Sequence, residues 1–276
     1  MKILTTTPKN DYADMTFTDI KPFMRQCRYE AYHKLIVFIQ VYLNIINICT
    51  KGNRKMSIER NVEHEVKITI PSQDIVLDGN LYVPENAKGI VAFVHGSGSS
   101  RFSPRNRFVA KYINKGGFAT LLFDLLTRSE EARDLITADL RFDIDLLSKR
   151  LSGTTEWLFN NPETREFQIG YFGASTGAAA ALVSSVGRKN VKAVVSRGGR
   201  PDMAGEALAK ISAPTLLIVG GEDDIVIELN NRAYDILNVQ AKRMDIVPGA
   251  THLFEEPGAL EKVAELALNW FSKYLS

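Results

Sequence analysis

The chain has 276 residues, a formal net charge of +2 and 24% charged residues. This near-neutral balance gives no reason to expect a nucleic-acid partner. Both cysteines, Cys27 and Cys49, lie near the N-terminus, so the rest of the chain has no thiol for a disulfide or a nucleophile. The four histidines form no cluster with metal-ligand spacing, and we therefore expect neither a metal nor another cofactor.

Residues 1–55 differ from the rest of the chain in charge. They contain nine Lys or Arg and four Asp or Glu and so carry +5, which leaves −3 for the remainder of a chain whose net charge is +2. The apolar stretch from Leu35 to Cys49 is too short and too polar to span a bilayer, and it begins too late for a signal peptide. We therefore expect no membrane span and a cytoplasmic location.

The same stretch predicts a helix that is mostly buried. Its polar residues Gln40, Asn44 and Asn47 follow i, i+4, i+7 spacing and would form one narrow stripe on an otherwise apolar helix. Three surfaces could bury it: the main domain, a homodimer contact through residues 31–49, or a membrane surface. We expect residues 1–55 to be a partly helical extension that is dispensable for chemistry, and residues 56–276 to form the main domain.

From residue 56 onward, the pattern predicts strands and helices in alternation. Glu65–Ile70 and Ile75–Val83 are predicted to form an antiparallel hairpin. Six further segments are predicted to be strands: Gly89–Val94, Phe118–Phe123, Phe167–Phe172, Val191–Ser196, Thr215–Val219 and Lys242–Val247. Gly89–Val94 is apolar throughout, which is typical of a strand in a parallel sheet that is covered on both faces. Helical patterns lie between them, at 108–113, Leu140–Asn160, Thr176–Val186 and Leu260–Leu275. This order predicts an α/β fold with one doubly wound, mostly parallel sheet.

The segment Gly173-Ala174-Ser175-Thr176-Gly177 lies between a predicted strand and an Ala-rich predicted helix. A Gly-x-Ser-x-Gly turn in this context can hold the serine hydroxyl out at the carboxyl edge of the sheet. The alternative interpretation is an ordinary loop rich in glycine and serine. Because the strand and the helix favour the first interpretation, we predict that Ser175 is a nucleophile.

A serine nucleophile needs a base, and the base needs a carboxylate that orients it. His252 is the only histidine after Ser175 and follows the last predicted strand, so we predict that it is the general base. The strand before that one leads into the acidic turn Glu222-Asp223-Asp224. We predict that Asp223 is the acid, with Asp224 as the alternative. The competing interpretation of this turn is a helix N-cap with acidic first-turn residues.

An oxyanion hole needs two backbone N–H groups that point at the developing charge. We predict that Thr176 supplies one of them, because it follows the nucleophile at a helix N-terminus. The second is predicted to come from Ser97, with Gly98 as the alternative, in the turn after the strand Gly89–Val94. His95, at the start of that turn, is expected to be a packed, hydrogen-bonded loop residue.

Together these features resemble the α/β-hydrolase superfamily. Four segments resemble its dienelactone hydrolase-like branch: His95–Arg101, Ser103–Arg107, Ser196–Asp202 and Gly249–Leu260. The resemblance covers about residues 62–276 and implies an α/β-hydrolase fold. Dienelactone hydrolases proper use a cysteine nucleophile, whereas this chain has Ser175, which favours a general ester or acyl hydrolase.

Two arginines give a hint of the substrate. Arg197 and Arg200 follow a predicted strand beside the Ser175 turn, and arginine can bind a carboxylate bidentately. They therefore suggest a preference for acidic acyl groups. Three more lie near the predicted oxyanion turn: Arg101, Arg105 and Arg107. The alternative is that these arginines pair with local acids such as Asp202 or the loop at Glu130 and Glu131.

Only eighteen residues separate the strands Val191–Ser196 and Thr215–Val219, so no cap domain fits between them. We therefore expect an open site for a small substrate. The sequence predicts a serine hydrolase that cleaves a small ester, lactone or thioester through a Ser–His–Asp triad and an acyl-enzyme intermediate. An acyltransferase, a peptidase, and a non-catalytic binding protein of the same fold are the alternatives.

Overall fold

Eight strands form one sheet in residues 61–275, the part of the chain that the computed structural model describes. The strands are β1 (Glu63–Ile70), β2 (Ile75–Tyr82), β3 (Ile90–Val94), β4 (Ala119–Phe123), β5 (Ile169–Ala174), β6 (Val191–Arg197), β7 (Thr215–Gly220) and β8 (Lys242–Val247). Their order across the sheet is β1-β2-β4-β3-β5-β6-β7-β8. The extension predicted for residues 1–55, with the helix and dimer contact predicted for residues 31–49, lies outside the described residues.

The sheet is mostly parallel, as predicted. Strand β1 pairs antiparallel with β2, and β2 pairs antiparallel with β4, so the predicted hairpin forms one edge. All other neighbouring strands are parallel. Every residue of β3, β4, β5 and β7 is buried, which agrees with their uninterrupted apolar sequences. The carboxyl ends of these parallel strands therefore share one edge, where the loops that follow them meet.

Helices cover both faces of the sheet. They are α1 (Pro104–Lys115), α2 (Arg128–Thr137), α3 (Ile144–Asn160), α4 (Thr176–Ser185), α5 (Asp224–Ile236) and α6 (Ala259–Tyr274), with short 3-10 segments at Pro71–Gln73, Leu140–Phe142 and Pro201–Lys210. The apolar side chains of α1 and α6 pack in one core cluster, and those of α3, α4 and α5 pack in another on the opposite face. Among the helices of the described residues, none combines the length and the apolar content that crossing a membrane requires.

The structure differs from the sequence prediction between β4 and α3. The helix predicted over Leu140–Asn160 begins only at Ile144, because the Asp143 side chain accepts a hydrogen bond from the N–H of Leu146 (2.9 Å) and caps the helix there. The segment at Glu130 and Glu131, interpreted as a loop, belongs to α2. A reciprocal capping box between Thr127 and Glu130 starts this helix.

The cap at Asp143 can be tested by substitution. We expect Asp143→Ala to lower the free energy of unfolding by about 0.5–2 kcal/mol, because the N–H of Leu146 loses its acceptor. Asp145→Ala is the matched control, since it removes a second exposed first-turn carboxylate that makes no cap. Its expected effect is about 0.5 kcal/mol or less. Urea denaturation measures both, and equal effects of the two substitutions would contradict the cap.

Candidate active site

A strained turn joins β5 to α4 at Ser175. This residue has φ 50° and ψ −122°, a backbone conformation that is rare for residues other than glycine. A Cβ at Gly173 would overlap the Cα of Ala178, and a Cβ at Gly177 would overlap the carbonyl oxygen of Val94. Both positions therefore require glycine, and the turn presents Ser175 at the carboxyl edge of the sheet.

The structure brings Asp223 and His252 together. Nδ1 of His252 lies 2.7 Å from Oδ2 of Asp223, and the two side chains are 40% and 16% exposed. Asp223 occupies the N-cap position of α5, but its side chain makes no capping hydrogen bond. Asp224 is the first residue of α5 and is exposed. Of the two candidate acids, Asp223 is thus the one whose carboxylate faces the histidine ring.

The Ser175 turn and the His252 loop meet at Gly198. The N–H of Ser175 donates to the carbonyl oxygen of Arg197 (3.3 Å), the residue before Gly198. A Cβ at Gly198 would lie 3.1 Å from the carbonyl oxygen of His252 and 3.6 Å from its Cε1. Among the described residues, no hydrogen bond joins the Ser175 hydroxyl to His252. Such contacts in ligand-free sites are often long and shorten when substrate binds.

The turn after β3, residues 95–101, is attached to the loop after β4 at both of its ends. The N–H of Leu125 donates to Nε2 of His95 (3.2 Å), and the N–H of Arg101 donates to Oδ1 of Asp124 (2.8 Å). Burial lowers the pKa of His95 below its ordinary value. The ring is therefore neutral near pH 7, which suits an Nε2 that accepts and an Nδ1–H that donates to the carbonyl oxygen of Gly96 (3.0 Å).

The middle of this turn contacts the residue that follows Ser175. The N–H of Ser97 donates to Oγ1 of Thr176 (3.0 Å), so the predicted oxyanion donor already has an acceptor in the free protein. The N–H of Gly98, the alternative donor, makes no hydrogen bond with another described residue. Sequence reasoning predicted a role for the backbone of Thr176 but did not consider its hydroxyl.

Most arginines near the site have a carboxylate partner. The pairs are Arg101 with Asp124, Arg105 with Glu255, Arg107 with Glu63 and Arg200 with Asp202. The pair between Arg200 and Asp202 is bidentate, with distances of 2.8 and 2.7 Å. Asp202 is the local acid that the alternative interpretation named for Arg200.

Arg197 is different, because it is only 6% exposed and pairs with no carboxylate among the described residues. Its Nη2 donates to Oδ1 of Asn106 (3.3 Å), and its Nε has no hydrogen-bond partner there. Burial and the nearby charge of Arg105 lower the pKa of Arg197 to about 10. A buried cation without an anion is unfavourable, and besides Asn106 the guanidinium contacts the face of the Phe254 ring, whose centroid lies 5.8 Å away.

A cavity of about 400 Å³ lies beside the turn after β3. Residues 95–100 line it, together with Arg105 of α1 and Glu131 and Leu135 of α2. Ser175 and His252 are not among its lining residues. Helix α2 therefore forms one wall of this cavity, although no cap domain lies between β6 and β7. The sequence signal that could have revealed it is the capping-box pattern from Thr127 to Glu130.

The chain is similar to several known proteins. Residues 77–275 match the family model described as "Dienelactone hydrolase family". The crystal structure of a dienelactone hydrolase from Anabaena variabilis is 56% identical, covers 78% of this chain and 99% of that one, and has a TM-score of 0.76. An esterase of Pyrococcus furiosus, Pf2001, shares the fold at 18% identity, with coverage of 78% and 92% and a TM-score of 0.64.

A mycobacterial protein is also similar. It is named "Putative phosphoribosyl transferase Rv0571c", comes from Mycobacterium tuberculosis and is 54% identical over 210 residues. The match covers 76% of this chain but 46% of that protein, so the chain spans about half the length of this relative.

Proposed function

The chain belongs to the dienelactone hydrolase family, and from this premise we propose that it is a serine hydrolase that cleaves a small ester, lactone or thioester. The hydrogen bond between His252 and Asp223 carries the proposal. A carboxylate at an N-cap position would normally accept the N–H groups of its own helix. The carboxylate of Asp223 instead faces Nδ1 of His252 at 2.7 Å, which leaves Nε2 to take a proton from Ser175.

The reaction would proceed in two steps. The Ser175 oxygen attacks the acyl carbonyl while His252 takes the hydroxyl proton, and the imidazolium then protonates the leaving group as the bond to it breaks. Water repeats the sequence on the acyl-enzyme and releases the acid. The backbone N–H groups of Thr176 and Ser97 would stabilise the oxyanion in both steps.

The relatives support the hydrolase class, whereas the residues of this chain suggest its substrates. An oxygen nucleophile at position 175 favours general esters over the dienelactone that names the family. The mycobacterial relative is named as a phosphoribosyl transferase, but the match to this chain covers only 46% of that protein. We assign acyl chemistry to this chain because a serine, a histidine and a carboxylate at these positions perform acyl transfer.

A fluorophosphonate probe tests the nucleophile on the full chain. We expect the probe to label the wild type and the control Ser72→Ala, which changes an exposed serine in the β1–β2 turn. Ser175→Ala should abolish both labelling and the hydrolysis of p-nitrophenyl esters. A folded wild type that is not labelled would favour a non-catalytic binding protein. Product transfer to an added alcohol or amine, in preference to water, would favour an acyltransferase.

The choice between the two acids has its own test. We expect Asp223→Asn to lower kcat by about 10³- to 10⁴-fold, because an amide no longer holds the imidazole in the reactive tautomer. Asp224→Asn is the matched control and should change kcat by less than about threefold, since its side chain is exposed. Steady-state hydrolysis of a p-nitrophenyl ester measures both. Asp223 is the wrong choice if the larger loss follows the change at position 224.

A preference for acidic acyl groups is the finer part of the proposal. Arg197 has no carboxylate partner among the described residues, and Nε of Arg105 is also buried without a hydrogen-bond partner. The charge of Arg105 contributes to the lowered pKa of Arg197, so the two cations interact. A substrate carboxylate near them would offset this repulsion and the cost of burial. Arg200 would contribute less to the binding of a substrate carboxylate, because its guanidinium already forms a bidentate pair with Asp202.

This preference predicts a charge-dependent effect at Arg105, which lines the cavity. For a matched pair of esters with and without an acyl-side carboxylate, Arg105→Gln should lower kcat/KM for the anionic ester by about tenfold or more. The neutral ester should be nearly unaffected. Arg107→Gln, which breaks the ion pair with Glu63, is the control and should affect neither. Equal turnover of both esters by the wild type would argue against the preference.

A further inference from the structure

The side chain of Thr176 connects the nucleophile turn to the turn after β3. Thr176 begins α4 and is buried, and its Oγ1 accepts the N–H of Ser97 at 3.0 Å. The backbones of the two turns are also close, since a Cβ at Gly96 would lie 3.0 Å from the Cβ of Ser175. This hydrogen bond therefore joins the two turns beside Ser175, the predicted nucleophile.

The other hydrogen bonds of the turn after β3 do not involve the N–H of Ser97. His95 and Arg101 attach its two ends to Leu125 and Asp124. Within the turn, the N–H of Ser99 donates to the carbonyl oxygen of Gly96 (3.2 Å). None of these bonds sets the direction of the Ser97 N–H. Among the hydrogen bonds of the described residues, it is the bond to Oγ1 of Thr176 that fixes the direction of the Ser97 N–H.

We propose that Thr176 is a positioning residue whose hydroxyl oxygen aims the Ser97 N–H at the place where the oxyanion forms. This inference rests on the proposed hydrolase function. A hydroxyl oxygen is a neutral acceptor, whereas an oxyanion is a charged one that forms a stronger hydrogen bond with the same donor. The N–H can therefore exchange one acceptor for the other during the reaction, with little movement of the turn. A donor that is held close to its final direction needs only a small reorientation at the moment of reaction.

Threonine suits the positioning of the Ser97 N–H better than valine or serine, the two residues closest to it in shape. Valine has the same shape but no acceptor, so the Ser97 N–H would lose its hydrogen-bond partner. Serine keeps the oxygen but lacks the γ-methyl group that restricts χ1. The arrangement therefore predicts that activity depends on the oxygen atom first and on the methyl group second.

The test compares Thr176→Val with Thr176→Ser in the full chain. We expect Thr176→Val to lower kcat for a neutral p-nitrophenyl ester by about tenfold to a hundredfold. This loss should not exceed the loss in kcat that follows the removal of one oxyanion donor. KM should change by less than about twofold, since the effect arises in the transition state. The affinity for a trifluoromethyl ketone, which forms an oxyanion mimic with the nucleophile, should fall by the same factor as kcat. Thr176→Ser should stay within about threefold of the wild type.

Two further measurements separate this role from a structural one. Thr154→Val is the matched control, because Thr154 is a fully buried threonine of α3 whose hydroxyl has no hydrogen-bond partner among the described residues. It should leave kcat unchanged. Amide hydrogen exchange at Ser97 should speed up by about tenfold in Thr176→Val and not in Thr176→Ser, whether or not the protein hydrolyses esters.

The outcomes are distinguishable. A folded Thr176→Val protein with unchanged or higher kcat, or with unchanged exchange at Ser97, would overturn the positioning role. A wild type that shows protection at Ser97 but neither ester turnover nor probe labelling would instead overturn the proposed hydrolase function. Without ester hydrolysis no oxyanion would form, and the positioning role of Thr176 would be overturned as well.

Discussion

The backbone at Ser175 is the constraint on which the rest of the site depends. A non-glycine residue at positive φ costs energy, and it persists only where the surrounding structure holds it. Here the fully buried strand β5 enters the turn and the buried helix α4 leaves it. Gly173 and Gly177 allow the turn to approach α4 and β3 more closely than any side chain would permit. Packing of the sheet thus maintains the strain that exposes the hydroxyl.

Hydrogen bonds between loops hold the other residues of the candidate site around the Ser175 turn. The turn after β3 is tied to the loop after β4 through His95 and Arg101, and to α4 through Thr176. The His252 loop is tied to the start of α5 through Asp223. These segments follow five different strands, and the parallel sheet brings the ends of those strands to a common edge. Each predicted functional group is therefore positioned by a neighbour that is distant in sequence.

Charge around the site is mostly neutralised in pairs, and the exception stands out for that reason. Arg200, which the sequence pointed to as a substrate ligand, forms a bidentate pair with Asp202 two residues away. Arg197 is buried without any carboxylate among the described residues, close to the charge of Arg105. The charge of Arg197 therefore has no neutralising carboxylate in the part of the chain that the structure describes, whereas Arg105 pairs with Glu255.

The sequence by itself determined the succession of strands along the chain and the candidates for the nucleophile and the base, because these depend on local patterns and on the scarcity of histidine. It did not reveal α2 or the break before Ile144, since α2 begins with a capping box of two residues and the break depends on the single cap at Asp143, both within a polar stretch. Only the tertiary structure decided that Asp223 rather than Asp224 faces His252, that Arg197 lacks a partner and that Thr176 holds the N–H of Ser97. Those outcomes depend on contacts between loops that are far apart in the chain, and no local pattern encodes such distances.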